Sequence, residues 1–132
     1  MRNKIYHITK NEAKEYIKQA EQAESRIVGI DLKGMKSWSE YSYAMEKVLE
    51  FPRPVAGMPA RFLDWIRDLN WFDNKRYDIF LYNFGKFAAK HFEDAYNIYD
   101  EYKRFVLPFW EYEAPNCIVG GETKEFYVYI VR

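Results

Sequence analysis

The sequence predicts an α/β domain in which a small parallel sheet of three or four strands packs against helices. Short runs of β-branched and aromatic residues recur along the chain, and stretches with helical spacing of apolar residues separate them. Strands that alternate with helices usually pair in parallel, because the helix carries the chain back along the sheet. With 132 residues, of which 48% are hydrophobic, the chain is expected to form a single domain over residues 1–132.

The first predicted elements are a strand, a capped helix and a second strand. The run KIYHI, Lys4–Ile8, is a strand candidate, and Thr9 and Glu12 have the spacing of a capping box for a helix over residues 10–23. The run RIVGIDL, residues 26–32, is apolar and β-branched with polar residues on both sides of it, and it predicts a buried strand.

The middle of the chain predicts two helices joined by a proline-rich loop. Ser37 and Glu40 repeat the capping spacing, and the helix they begin is expected to end near Phe51. Pro59 suits the first turn of the next helix, which should extend to Leu69. The predicted buried positions of the two helices are Trp38, Tyr41, Met45, Leu49, Phe62, Ile66 and Leu69.

The last third of the chain predicts two more strands around a long helix. Residues 77–84 form a strand candidate, helical spacing runs from about residue 86 to 106, and Pro108 is expected to interrupt or kink the helix. Residues 115–124 are rich in turn formers, and EFYVYIV, Glu125–Val131, closes the chain as a strand.

Composition argues against several classes of function. Lys and Arg together number 20, as do Asp and Glu, so the basic surface of a general nucleic-acid binder is not expected. The N-terminus has no apolar signal region and no run reaches the length of a membrane span. With Cys117 as its single cysteine, the chain is expected to be a soluble cytoplasmic protein.

The residues offer little support for an enzyme or a cofactor site. His7, His91 and Cys117 lack the spacing of metal ligands, so neither a metal nor another cofactor is predicted. A nucleophile pair of His91 and Cys117 stays open, since the fold could bring the two together, but a structural role is favoured. We read residues 120–122, GGE, as a turn because the spacing of phosphate-binding loops is missing.

The loop and helix in FPRPVAGMPARFLDWIRDLNW, residues 51–71, form the candidate binding surface. Helical phase places Ala60, Asp64, Arg67 and Asp68 opposite the buried face, and Arg61 and Arg67 are each three residues from Asp64. The loop is expected to expose apolar groups beside the Asp64 carboxylate, and a stiff apolar rim around a charge suits a protein partner. The loop residues concerned are Pro54, Val55, Ala56 and Met58.

The segment SEYSYAMEKVLEFPRPVAGMPARFLDWIRDLNW, residues 39–71, resembles the barstar family of intracellular ribonuclease inhibitors. In that family a helix ending in an apolar residue and Pro leads through a short loop into a helix patterned Asp-x-Leu-x-Asp-x-Leu. Here the pattern reads Ala60, Phe62, Asp64 and Ile66. The resemblance extends over residues 26–132 as a barstar-like core, preceded by a βα extension over residues 1–25.

The resemblance implies a function and a set of contact residues. Asp64 matches the Asp that enters the nuclease active site and meets the cationic groups that bind RNA phosphate. The chain departs from the family pattern where it carries Ala60 for Asp and Leu63 for Trp, and where Pro54, Val55, Ala56 and Met58 replace aromatic, Gly and Asn residues. The implied role is inhibition of a ribonuclease or another nuclease toxin, as a bacterial immunity protein, without direct contact to nucleic acid or membrane. The implied partner-binding residues are Asp64, Pro54, Val55, Ala56, Met58, Ala60, Leu63, Arg67 and Asp68.

Two other function classes remain open at this point. The first is an interaction domain that keeps the fold without inhibiting a nuclease, and the second, less favoured, is an enzyme. A contiguous exposed patch around Asp64 favours binding, whereas a deep pocket with converging titratable groups favours catalysis.

Overall fold

The computed structural model describes residues 3–114 and 123–132. Within these residues, strands β1 to β4 form one sheet in the order β1-β4-β3-β2, and every neighbouring pair is parallel. The predicted α/β class with a small parallel sheet is therefore confirmed. The strands are β1 Lys4–Ile8, β2 Arg26–Asp31, β3 Arg76–Tyr82 and β4 Glu125–Val131.

Helices connect the successive strands. The turn-rich segment predicted around residues 120–122, together with Cys117, lies outside the described residues. None of the helices in the described part is long and apolar enough to cross a bilayer. The helices are α1 Lys10–Gln22, α2 Trp38–Val48, α3 Pro59–Ile66, α4 Phe84–Lys90 and α5 Phe92–Asp100, followed by π-helical segments over Glu101–Val106 and Phe109–Glu113.

The N-terminal βα segment is built into the same sheet as the rest of the chain. Strand β1 pairs with β4, and Ile5 lies opposite Val128. Helix α1 packs on one face of the sheet, where Ala13 joins a small buried cluster with Phe80 and Tyr129. The larger core, which includes α2, α3, α5 and the π-helical segments, lies on the other face.

The two predicted capping signals differ in the structure. The Thr9 hydroxyl accepts from the Glu12 N–H at 3.1 Å and the Glu12 carboxylate accepts from the Thr9 N–H at 2.9 Å, which confirms the capping box. Ser37 accepts from the Glu40 N–H at 3.2 Å, but the Glu40 carboxylate accepts from the Lys36 N–H. The second signal therefore marks the start of α2 without forming the reciprocal pair.

The prediction of one long helix over residues 86–106 was wrong, because the helix is interrupted at His91. The chain turns at His91, whose φ of −136° and ψ of 63° end α4 and begin α5. Pro108 does not end the helical conformation, because its own backbone is helical and it lies between the two π-helical segments. In a regular α-helix the proline ring would clash with the carbonyl four residues earlier, and the wider turns of the π-helical segments leave room for it.

A buried carboxylate, Asp78, ties the beginnings of β2 and β3 together. It is fully buried, and it accepts hydrogen bonds from the Ser25 hydroxyl at 2.5 Å and the Tyr129 hydroxyl at 2.6 Å. The Arg76 guanidinium pairs with it at 2.8 Å. Its lone pairs are thus satisfied, as a buried charge requires.

A second buried carboxylate lies where α5 passes into the first π-helical segment. Glu101 is 8% exposed, and its Oε1 accepts from the Trp38 indole N–H at 2.6 Å. Burial raises the pKa of Glu101 to about 7, although the Trp38 hydrogen bond acts in the opposite direction. The carboxyl is therefore neutral or charged according to pH in the physiological range.

Candidate functional site

The proline-rich loop leaves α2 in a fixed direction. Glu50 adopts a left-handed φ of 53°, its N–H donates to the Lys47 carbonyl at 3.3 Å, and the Phe51 N–H donates to the Glu46 carbonyl at 3.0 Å. This bond pattern satisfies the last carbonyls of the helix and turns the chain sharply. Phe51 then enters the core with 9% exposure, so the loop begins from an anchored residue.

The expectation that Val55 belongs to the exposed rim was wrong. Its side chain is 1% exposed within the main core, and its N–H donates to Glu46 Oε1 at 2.6 Å. The loop folds back over α2 because the Glu46 carboxylate offers an acceptor there and the core accepts the two Val55 methyl groups. Pro54, Ala56 and Met58 are exposed, as expected.

A tight turn follows Val55 and carries Met58 to the start of α3. The Met58 N–H donates to the Val55 carbonyl at 3.1 Å, and Ala56 and Gly57 both have positive φ, 54° and 71°. Glycine accepts this conformation freely, whereas it costs Ala56 roughly 1 kcal/mol. Met58, 48% exposed, is thereby presented at the N-terminus of the helix.

Helix α3 is fixed to the core along its predicted apolar face. Phe62 is fully buried, and its ring lies 5.6 Å from Trp38, 5.8 Å from Tyr41 and 5.9 Å from Phe51, measured between ring centroids. Such aromatic pairs add about 0.5–1.5 kcal/mol each beyond the burial of their area. The burial predicted for Phe62, Ile66 and Leu69 is confirmed.

Two indole groups hold the ends of the helices on either side of the loop. The Trp110 indole N–H donates to the Ile66 carbonyl at 3.2 Å, so this carbonyl at the end of α3 has a hydrogen-bond partner. The Trp71 indole N–H donates to the Leu49 carbonyl at 2.9 Å, which joins the segment after α3 to the end of α2. Helix α3 is therefore constrained on its buried face and at its C-terminal end.

Asp64 lies on the solvent side of α3, as helical phase predicts. Its side chain is 75% exposed, and Arg67 Nη2 lies 4.0 Å from its Oδ1. Among the described residues Arg61, expected to share this compensation, forms no ion pair with Asp64. An exposed pair at 4.0 Å contributes about 0–1 kcal/mol, so Asp64 is free to exchange Arg67 for a partner's cation.

A shallow groove of about 400 Å³ lies beside Asp64. Its lining differs from the apolar rim expected from the sequence, because Arg53, Arg61 and Trp65 line the groove together with Pro54 and Asp64. Sequence reasoning left these three residues out of the partner-binding set, although Arg61 stands one helical turn before Asp64. The lining residues are Arg53, Pro54, Arg61, Asp64 and Trp65.

The remaining expected contact residues divide into two groups. Ala60 is exposed beside Pro59 at the start of the helix. Leu63, Arg67 and Asp68 are partly buried. The Arg67 Nε–H donates to the Leu63 carbonyl at 3.2 Å, and its guanidinium lies 5.7 Å from the Phe109 ring, so Arg67 also closes the end of the helix.

The arrangement suits binding better than catalysis. Across the described ranges, no three His, Cys, Asp or Glu side chains converge to hold a metal ion. The groove holds a single acidic group and neither a nucleophile nor a partner base. Comparison of the chain with protein-family models, with curated proteins and with solved structures gives no match.

Proposed function

We propose that this chain is a cytoplasmic protein inhibitor of a ribonuclease or a related nuclease toxin, and that it covers the nuclease active site with α3 and the loop before it. The observation that carries the proposal is the position of Asp64. Its carboxylate is 75% exposed on a helix whose opposite face is fully buried. The resemblance of residues 39–71 to the barstar family supports the proposal, because Asp64 matches the inhibitory Asp of that family's helix pattern.

The mechanism is the substitution of a carboxylate for a phosphate. A nuclease binds the RNA backbone with cationic side chains, and a carboxylate can occupy that anion site with charge-assisted hydrogen bonds. The helix is already held by Phe62 and by the Trp110 indole, so docking orders few additional groups. Less conformational entropy is then lost on binding.

The groove beside Asp64 specifies what else the partner should present. Arg53 and Arg61 line the same groove as Asp64, so the groove also favours acidic groups on the nuclease. A nuclease active site that contains a catalytic carboxylate next to its phosphate-binding cations would match this alternation of charge. Complementary charges of this kind also accelerate encounter and reject wrong partners.

A second candidate is an interaction domain that retains the fold and does not inhibit a nuclease. The observation that favours it is the pair of arginines in the groove, because they make the surface less acidic than a strongly basic nuclease would select. In that case the same groove would bind an acidic protein segment and the Asp64 carboxylate would contribute little.

Capture experiments separate these two functions. A set of ribonucleases and nuclease toxin domains is passed over immobilised wild-type protein, Asp64→Ala and Glu15→Ala, the last removing an exposed carboxylate on α1. Retention of a nuclease by wild type and Glu15→Ala, with loss for Asp64→Ala, supports inhibition through α3. Failure of all three proteins to retain any nuclease would favour the interaction domain.

A further inference from the structure

A cleft of about 640 Å³ opens between the turn that follows β2 and helix α4. It lies at the carboxyl ends of the neighbouring strands β2 and β3. In open α/β sheets, small ligands bind outside the carboxyl ends of the strands, and their pockets measure roughly 300–1,000 Å³. Both the position and the size of this cleft therefore suit a small molecule.

The wall of the cleft toward the core is apolar. Leu32 is fully buried, Phe87 is 2% exposed, and Met35 packs against the same core. All three line the cleft. Because Leu32 and Phe87 are closed to solvent, the apolar surface that the hydrocarbon or aromatic body of a ligand can touch comes from Met35, which is partly buried, and from Ala89, which is exposed.

The rim of the cleft is cationic. Lys33 and Lys36 come from the turn after β2, and Lys86 and Lys90 lie one turn apart on α4. All four are exposed, and none forms an ion pair with any residue that the structure describes. A cleft lined by one sign of charge concentrates ligands of the opposite sign.

Two carboxylates beside the cleft, Asp31 and Glu40, accept hydrogen bonds that shape the turn. Asp31 accepts from the Asn83 amide at 2.7 Å and from the Lys33 N–H at 2.9 Å, and Glu40 accepts from the Lys36 N–H at 3.0 Å. The Asp31 to Asn83 bond joins the end of β2 to the residue before α4, so the two walls are fixed relative to each other. The four lysines remain in excess over these two carboxylates.

We infer that this cleft binds a small amphipathic anion, in which a phosphate or carboxylate group meets the lysines and an apolar body lies against Met35 and Ala89. The ligand would carry an anionic head on a hydrocarbon or aryl body, and a cleft between a turn and a helix fits a free molecule better than a flat lipid bilayer. The inference does not rest on nuclease inhibition, and none of these residues lines the groove beside Asp64.

Titration with hexyl phosphate, followed by backbone amide NMR, tests the assignment. We expect saturable shifts confined to residues 32–36 and 86–91, weakened by added salt because exposed charges are screened. Hexanol and hexyltrimethylammonium, which lack the anionic head, should give no saturable shifts there. Shifts of equal size with hexanol, or shifts spread over other faces, would overturn the inference, as would protein that floats with phosphatidic acid vesicles and ignores hexyl phosphate.

Matched lysine variants test whether the lysines of the cleft bind the anionic group. Lys86→Ala/Lys90→Ala should weaken hexyl phosphate binding by about fivefold, the loss expected for two exposed cation contacts. Lys14→Ala/Lys18→Ala removes an equally spaced exposed pair on α1 and should leave the affinity unchanged. Equal affinities for the two variants would contradict the assignment, and Lys33→Ala/Lys36→Ala repeats the test from the other wall if the first variant does not fold.

Discussion

The backbone N–H of Val55 donates to the Glu46 carboxylate across 2.6 Å, and this bond joins the proline-rich loop to helix α2. Val55 is 1% exposed, so the bond forms at the edge of the core, where a charge-assisted hydrogen bond is stronger than in water. The direction in which α3 presents Asp64 therefore depends on an acceptor in the preceding helix.

Glu46→Ala should loosen the loop. Removal of the acceptor leaves the Val55 N–H without a partner, and we expect a loss of about 1–2 kcal/mol in the free energy of unfolding. Hydrogen exchange at the Val55 amide should accelerate far more than exchange in β3. Glu46→Gln, which keeps an acceptor, should show a smaller effect, and unchanged exchange in Glu46→Ala would mean that the bond does not hold the loop.

Val55→Ala tests whether Val55 is a core residue. Loss of two buried methyl groups should lower the free energy of unfolding by about 2 kcal/mol, measured by urea denaturation. Val48→Ala makes the same chemical change at a residue that is 40% exposed on α2 and should alter stability by less than about 0.5 kcal/mol. Similar effects at both positions would show that Val55 is not packed as described.

Met58→Ser should separate stability from binding. Met58 is the residue before the first turn of α3, its backbone is extended, and its side chain makes no capping bond. A serine there can accept from the Ala60 or Arg61 N–H, which should add about 0.5–1 kcal/mol of stability in thermal denaturation. If Met58 contacts the nuclease as proposed, the same variant should inhibit less well, whereas a gain in both would place Met58 outside the interface.

Glu101 should make stability depend on pH. Its pKa is raised from 4.5 to about 7 in the folded protein, chiefly by burial, so the folded state binds more protons than the unfolded state between these values. The contribution of Glu101 to the free energy of unfolding is therefore most favourable below about pH 4.5. It falls as pH rises toward 7 and is constant above that. The full difference is on the order of 3 kcal/mol.

Glu101→Gln isolates this contribution from that of other carboxylates. Glutamine keeps an acceptor for the Trp38 indole N–H and does not titrate, so the stability of the variant relative to wild type should rise between pH 5 and pH 8. Urea midpoints at both pH values measure it. A constant difference between the two proteins across that range would contradict the raised pKa.

Much of the fold follows from local patterns in the sequence. The strands Lys4–Ile8 and Glu125–Val131 have the predicted bounds, because short β-branched and aromatic runs next to turn formers leave few alternatives. The apolar positions predicted for the helix from Pro59 are all buried, and helical periodicity was sufficient for Phe62 and Ile66, whereas Leu69 is buried after α3 has ended at Ile66. The break at His91 could not be predicted, because it depends on how α4 and α5 pack and involves neither glycine nor proline.

The candidate site was predicted only in part, for a related reason. Helical phase was sufficient for the exposure of Asp64 on α3. The path of the loop was not predictable, because the burial of Val55 depends on a hydrogen bond to Glu46, nine residues earlier. The arginines of the groove were likewise missed, since Arg53 and Arg61 come together only when the loop folds back toward the helix.

Inhibition of RNA hydrolysis by a captured nuclease tests the central claim most directly. Asp64→Ala should raise the inhibition constant by about thirtyfold or more, the loss that marks a hot-spot residue, while urea denaturation stays within about 0.5 kcal/mol of wild type. Glu15→Ala should inhibit like wild type. If Asp64→Ala inhibits as well as wild type, or loses stability in proportion to inhibition, the Asp64 carboxylate does not occupy the nuclease active site.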